Sequence, residues 1–240
     1  MIERIVAAID PQRGEHIVEI GPGLGALTAP LLERVEHLHV VELDRDLSGR
    51  LRERYPAERL AVHQADALRF DFATLPAPLR ILGNLPYNIS TPLLFHVAAV
   101  AARCVDLHFM LQQEVVDRMV AMPSDPEYGR LSVMLQYRFR LERLFTVPPG
   151  AFRPPPKVHS AVVRLIPHPL RELKAASEAD FSRVVAKAFS MRRKTLRNAL
   201  SGLISASDLA GLGIDPGVRA ETLPVAAFVT IANRVAQRRT

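Results

Sequence analysis

The stretch Ile17-Val18-Glu19-Ile20-Gly21-Pro22-Gly23-Leu24-Gly25 decides how the rest of the chain is read. A short apolar run stops at a glycine–proline turn, so a strand ends there. Ala26 to Val35 then has helical spacing. Strand, glycine turn and helix together open an α/β unit. Its glycines let a backbone approach a ligand closely, and the helix that follows offers free amides. Outward from this point the alternation continues. Apolar runs at 38–41, 59–63, 79–82 and 105–111 read as strands, with helical patterns at 47–54, 93–102, 113–120 and 131–136. The last two strands, 138–145 and 161–166, have no helix between them. The proline-rich segment Pro148 to Pro156 is excluded from helix and from a central strand. The expected fold is α/β: a largely parallel, Rossmann-like sheet covered on both faces and closed by an antiparallel pair.

Pro167 and Pro169 bracket a change of character, and from Leu173 onward the pattern is helical and basic. A sheet domain over 1–167 and a small helical domain over 168–240 are therefore predicted. Charge follows the same division. Residues 1–167 hold 19 Lys+Arg and 19 Asp+Glu, whereas residues 168–240 hold 12 and 6, so the whole net charge of +6 lies in the last third. A neutral body with a basic appendage suits a polyanion, of which nucleic acid is the usual example, although a solvated arginine-rich surface reads the same way. Cys104 is the sole cysteine, which excludes an internal disulfide and a cysteine-based zinc site. The eight histidines are scattered along the chain, so no metal is assigned. Glu3 and Arg4 interrupt the first residues, which are not expected to form a signal peptide. No run approaches the roughly 18 apolar residues of a membrane span. A soluble, cytoplasmic protein is expected.

Four motifs are placed where chemistry happens in such a sheet. The spacing of Gly21, Gly23 and Gly25 is Gly-x-Gly-x-Gly, and Glu42 ends the second strand, where a carboxylate can accept both hydroxyls of a ribose. This points to a nucleoside-bearing cofactor, and the spacing favours S-adenosylmethionine over a dinucleotide, with a ligand-free tight turn as the plain alternative. Asp66, just past the third strand, could accept from an adenine amine, but taken alone it reads better as a helix N-cap. Asn84-Leu85-Pro86-Tyr87 ends the fourth strand. The Asn84 side-chain oxygen and the Leu85 carbonyl could accept both hydrogens of an exocyclic amine and so localise its lone pair. Pro86 stiffens the turn, and Tyr87 offers a face on which a base can stack. Phe152, set among prolines, could clamp the other face of the base, or plug a loop.

A fifth pattern is basic. On one unbroken helix over 181–200, Arg183, Lys187, Arg193, Lys194 and Arg197 fall in an arc of about 120° opposite the apolar residues. Such a stripe suits RNA phosphates, or simply solvent.

With these residues in view, the chain resembles the ribosomal RNA adenine dimethyltransferases, and within them the small-subunit branch. The matching stretches are Glu19–Gly25, Glu42, Gln64–Ala67, Asn84–Tyr87, Gln113–Arg118, Tyr128–Val133, Phe152–Val158, Arg192–Leu200 and Arg219–Leu223. The resemblance implies a seven-stranded methyltransferase sheet with a small helical C-terminal domain. It implies that Gly21, Glu42, Asp66 and Asn84 bind S-adenosylmethionine and that Asn84 also faces the target amine. It implies dimethylation at N6 of two adjacent adenosines in the loop near the 3′ end of small-subunit RNA, with a part in subunit assembly. The implied partner is the small ribosomal subunit, with no membrane and no metal, and the chain is expected to act as a monomer. Members of the family usually begin with a basic segment containing Gln-x-Phe-Leu that closes over the cofactor, and Met1–Val6 corresponds to the helix after it. The rivals are a resistance-type enzyme of large-subunit RNA, a non-catalytic assembly factor and, weakened by Asn84–Tyr87, a nicotinamide-dependent dehydrogenase.

Overall fold

The computed structural model describes residues 1–86, 88–191 and 193–238. The chain divides into two compact units, Met1–Val116 with Arg140–Pro167, and Asp117–Phe139 with His168–Thr240.

In the first unit, α1 (Ile2–Ile9) precedes β1 (His16–Ile20), α2 (Thr28–Leu32), β2 (Leu38–Glu42), α3 (Arg45–Arg54), β3 (Leu60–Gln64), β4 (Leu79–Asn84), α4 (Ser90–Ala98) and β5 (Cys104–Gln112). The helix α5 (Gln113–Val120) then leads out of this unit, α6 (Arg130–Arg138) follows, and β6 (Phe139–Val147) brings the chain back, to end in β7 (Ser160–Pro167). The seven strands form one sheet in the order β3-β2-β1-β4-β5-β7-β6. β1 through β5 run parallel, and β7 lies antiparallel to β5. β1 is buried on both faces, and Ile17, Val18 and Ile20 are at most 2 % exposed.

Sequence direction reverses across β1 and β4, which makes the carboxyl ends of these two strands the place for a ligand. The strands come unusually close there. Ile20 pairs with Gly83, and a Cβ on Gly83 would stand 2.5 Å from the Ile20 carbonyl oxygen.

Two helices differ from expectation at this edge. The α1 helix, expected over 1–6 only through the family resemblance, runs on to Ile9; it buries Ile5, Val6 and Ile9 and stops at Asp10, which takes left-handed φ of 48°. The α2 helix keeps only Thr28–Leu32 of the expected 26–35. Gly25 at φ 83° turns the chain late, and Pro30 supplies no amide for a longer ladder.

The second unit adds α7 (Glu178–Ala188), α8 (Leu196–Ala199), α9 (Ala206–Gly211) and α10 (Val225–Gln237). Its core joins Phe181, Val184, Leu196, Leu200, Phe228 and Ile231 to Tyr128, Val133 and Tyr137. The Tyr137 and Phe181 rings lie 4.3 Å apart, and the Tyr128 hydroxyl donates to the Leu223 carbonyl at 2.8 Å. These contacts amend the expected division. Residues 117–139 pack with the C-terminal helices rather than with the sheet, and the second unit resumes at His168. That segment holds three basic and three acidic residues, so the +6 excess stays with the second unit.

The expected basic stripe also needs correction, because 181–200 is not one helix. The α7 helix ends at Ala188, where the Ser190 hydroxyl donates to the Lys187 carbonyl at 2.7 Å. Thr195 is extended and bridges to Arg219. Arg183 is paired with Asp180 at 2.8 Å, and the Lys187 ammonium is turned to the Ser201 carbonyl. Arg193 and Lys194 sit exposed in the connecting turn, and Arg197 sits exposed on α8. No helix among the described residues is long and apolar enough to cross a membrane.

Candidate active site

At the carboxyl ends of β1 and β4 the first unit holds a cavity of about 310 Å³. Gly21, Pro22 and Gly23 line it from the turn after β1, Asn84 from the end of β4, Met110 from β5, and Phe152 with Arg153 from the proline loop. Met1, Ile2 and Ile5 of the α1 segment complete the wall.

The turn has its conformation because Gly21 and Gly23 adopt φ of 66° and 58°, which a side chain would strain. The Gly21 amide donates to the Val41 carbonyl at 2.9 Å, and this ties the turn to the end of β2. Glu42 follows Val41. Its Oε2 accepts from the Gly23 amide at 3.1 Å and its Oε1 from the Asp44 amide at 3.0 Å. One lone pair on each oxygen is left over, the number a ribose diol needs. Gly25 lies behind the turn against Leu51 and Thr28 and does not line the cavity.

Asn84 is exposed, and its side chain makes no hydrogen bond among the described residues. Leu85 is buried, with its amide on the Met110 carbonyl at 3.1 Å, and Pro86 is exposed. Tyr87 lies outside the described residues. Phe152 is half-buried, packed against the apolar cluster that includes Ile5 and Met110. Asp66 stands apart: its Oδ1 accepts from the Leu68 amide at 2.9 Å within a turn that opens no helix, so it is not the helix N-cap its residue type suggests, and it does not line the cavity.

Glu19 was quoted in the glycine motif without a role. It lines the cavity floor at 2 % exposure, and its Oε2 accepts from the Thr28 hydroxyl at 2.6 Å. Burial pushes its carboxyl up to about 7; the Thr28 hydrogen bond lowers it and the neighbouring Glu42 charge raises it. An acidic residue closing a strand just before a glycine turn is a signal that sequence carries. Met1, Ile2 and Ile5 gave none beyond apolar spacing over a single short helix.

A model of the family described as ribosomal RNA adenine dimethylase matches residues 1–237. The chain belongs to the ribosomal RNA adenine dimethylase family. A protein of Aromatoleum aromaticum named ribosomal RNA small subunit methyltransferase A is 63 % identical, over 99 % of this chain and 90 % of its own length. A Thiobacillus denitrificans protein of the same name is 62 % identical, over 99 % and 93 %. Among solved structures, a dimethyladenosine transferase from Plasmodium falciparum superposes with a TM-score of 0.86 at 23 % identity, covering 99 % of this chain and 96 % of its own. The 23S rRNA methyltransferase ErmE gives 0.73 at 24 % identity, covering 98 % and 97 %. Both structures share the fold of this adenine dimethylase: the methyltransferase sheet followed by helices.

Proposed function

We propose that this adenine dimethylase uses S-adenosylmethionine to dimethylate N6 of two adjacent adenosines near the 3′ end of small-subunit ribosomal RNA, acting in the cytoplasm during subunit assembly. The relatives' shared name supports the substrate. The observation that carries the chemistry is Asn84: a polar side chain with no hydrogen-bond partner among the described residues, set on the same cavity as the Gly21–Gly23 turn and Phe152.

The residues present fit the cofactor. The glycine turn leaves room for it and the Glu19 carboxyl suits its cationic part, while Glu42, held behind the turn by the Gly23 amide and not itself on the cavity wall, keeps spare lone pairs that suit a ribose. When bound, S-adenosylmethionine supplies a methyl group on a positively charged sulfur. The protein's share is orientation. The Asn84 Oδ1 and the Leu85 carbonyl take the two hydrogens of the target amine and turn its lone pair out of conjugation with the ring. Phe152 covers one face of the base and restricts its rotation. Placed dipoles and proximity then carry the rate. No strong base is required, since an amine that has gained a methyl and a positive charge loses its proton readily to water. The basic second unit holds RNA phosphates, which contribute affinity without reading sequence.

The test is mass spectrometry of ribosomal RNA after immature small subunits, and separately large subunits, are incubated with the protein and S-adenosylmethionine. Two dimethylated adenosines in the small-subunit RNA are expected, and none in the large. Asn84→Ala should cut turnover by about a hundredfold, as for loss of one placed polar group, with RNA affinity held. Methylation of large subunits alone, or near-normal turnover in that variant, would overturn this reading.

A further inference from the structure

The N-terminal part of α1 forms a wall of the cavity, through Ile2 and Ile5, so what fixes this helix bears on the site. Ile5, Val6 and Ile9 give it an apolar underside, which resists lifting but sets no register along the helix axis.

Register comes from the other end. Arg80 of β4 is almost fully buried, and its Nη2 donates to the Ile9 carbonyl at 2.6 Å while its Nη1 donates to the Asp10 carbonyl at 3.2 Å. These carbonyls close α1, where a helix has acceptors without partners and favours positive charge. The remaining donors of Arg80 are held from the opposite side. Nε and Nη2 reach the two oxygens of Asp106 at 2.8 and 3.0 Å, and Nη1 reaches Glu15 at 2.8 Å. Asp106 is itself fully buried and is fixed from β7 by Arg164, at 2.7 Å. All five N–H donors of the Arg80 fork are therefore engaged. A buried charged group of this kind seldom adds stability over an apolar packing of equal volume, so its use lies in specifying geometry.

We infer that Arg80 is a positioning residue: clamped by Asp106, it sets where α1 ends and thereby where Ile2 and Ile5 stand against the cofactor. This deepens the proposed reading and rests on the cavity being the cofactor site.

The test compares three variants by calorimetry with S-adenosylmethionine alone and by methyl-transfer kinetics. Arg80→Lys keeps a cation beside Asp106 but cannot span two carbonyls; it should weaken cofactor binding and raise the cofactor KM by about tenfold, with kcat within about twofold at saturation. Arg164→Lys disturbs the same carboxylate without touching α1. It should lower the melting temperature by a similar amount and leave cofactor affinity within about twofold. Glu15→Gln, at the partly exposed end of the fork, gives a milder version of the Arg80 effect should Arg80→Lys fail to fold. Cofactor affinity that falls equally in the Arg80 and Arg164 variants, in step with melting temperature, would show a merely structural role and overturn the proposal, as would no change in the Arg80 and Glu15 variants. Ile5→Trp separates the underlying reading. It fills the cavity, and unchanged affinity there would place the cofactor elsewhere and overturn the site itself.

Discussion

Gly83 on β4 stands so close to Ile20 on β1 that a Cβ at Gly83 would lie 2.5 Å from the Ile20 carbonyl oxygen. The contact joins the two strand ends that carry the glycine turn and Asn84. Gly83→Ala must push the strands apart where neither can move freely. It is expected to cost roughly 1–3 kcal/mol, the range for overpacking a closed interior. Cofactor binding should fall as well, since Gly21 and Asn84 are carried on the displaced ends. Urea unfolding and calorimetry check this, and an unchanged unfolding midpoint would show that the strands have slack.

Glu19 links cofactor binding to pH. Its carboxyl is raised from 4.5 to about 7, chiefly by burial. Between these values the folded protein holds a proton that the unfolded chain has released, so its contribution to stability falls as pH rises through that window. The ionised form is the one that attracts a cationic ligand. Affinity for S-adenosylmethionine should therefore rise as pH is taken through neutrality, and Glu19→Gln should bind more weakly on the alkaline side with that dependence lost. A wild-type affinity that does not move across neutral pH would remove Glu19 from the binding site.

Three of the eight histidines, His37, His39 and His63, come together beside β2 and β3. His39 Nδ1 lies 3.1 Å from His63 Nε2, and the His37 ring centroid is 4.7 Å from that of His39. Burial first, then the charges of His37, His63 and His16, lower His39 to about 4; His63 is lowered too, by burial, His37 and Arg52. Here the sign is opposite to that of Glu19. The unfolded chain takes up protons near 6.5 that the folded protein refuses, so stability present above that pH is lost as pH falls toward about 4. Melting temperatures followed from neutral pH downward should drop less steeply in His39→Gln than in the parent. Parallel curves would mean that His39 charges without cost.

The RNA proposal falls on the exposed cations Arg193, Lys194 and Arg197 rather than on one helix face. Replacing Arg193, Lys194 and Arg197 together by alanine should lower the slope of log affinity against log salt by about two to three, close to one per lost phosphate contact. Turnover at saturating RNA should hold. An unchanged slope would place the phosphates elsewhere on the protein.

Much of this was readable from the chain itself. The apolar runs, their spacing and the glycine turn specify the sheet and the end at which a ligand binds, because strand and turn signals are local and the sheet rules leave few topologies. Gly21, Gly23, Asn84 and Phe152 are far apart in sequence yet meet at one cavity, as their places at the carboxyl ends of the strands or in the adjoining proline loop require. Asp66 was ambiguous for a local reason as well, since a cap and a ligand acceptor use the same residue type.

Only the tertiary structure decided the rest. Residues 117–139 have the periodicity of any helix pair after a strand, and it is the through-space contact of Tyr137 with Phe181 that assigns them to the second unit. The arc of cations is broken because α7 ends at Ala188 and the extended backbone of Thr195 bridges to Arg219, a partner that a helical wheel does not contain. The carboxyl of Glu19 and the imidazole of His39 owe their shifted protonation to burial and to neighbours from other strands. Arg80 reads in sequence as one more arginine, and gains its meaning only when folding sets it between a buried aspartate and the end of a helix seventy residues earlier. Pattern along the chain reports what each residue prefers; desolvation and charge depend on what packs against it, and that is settled when distant segments meet.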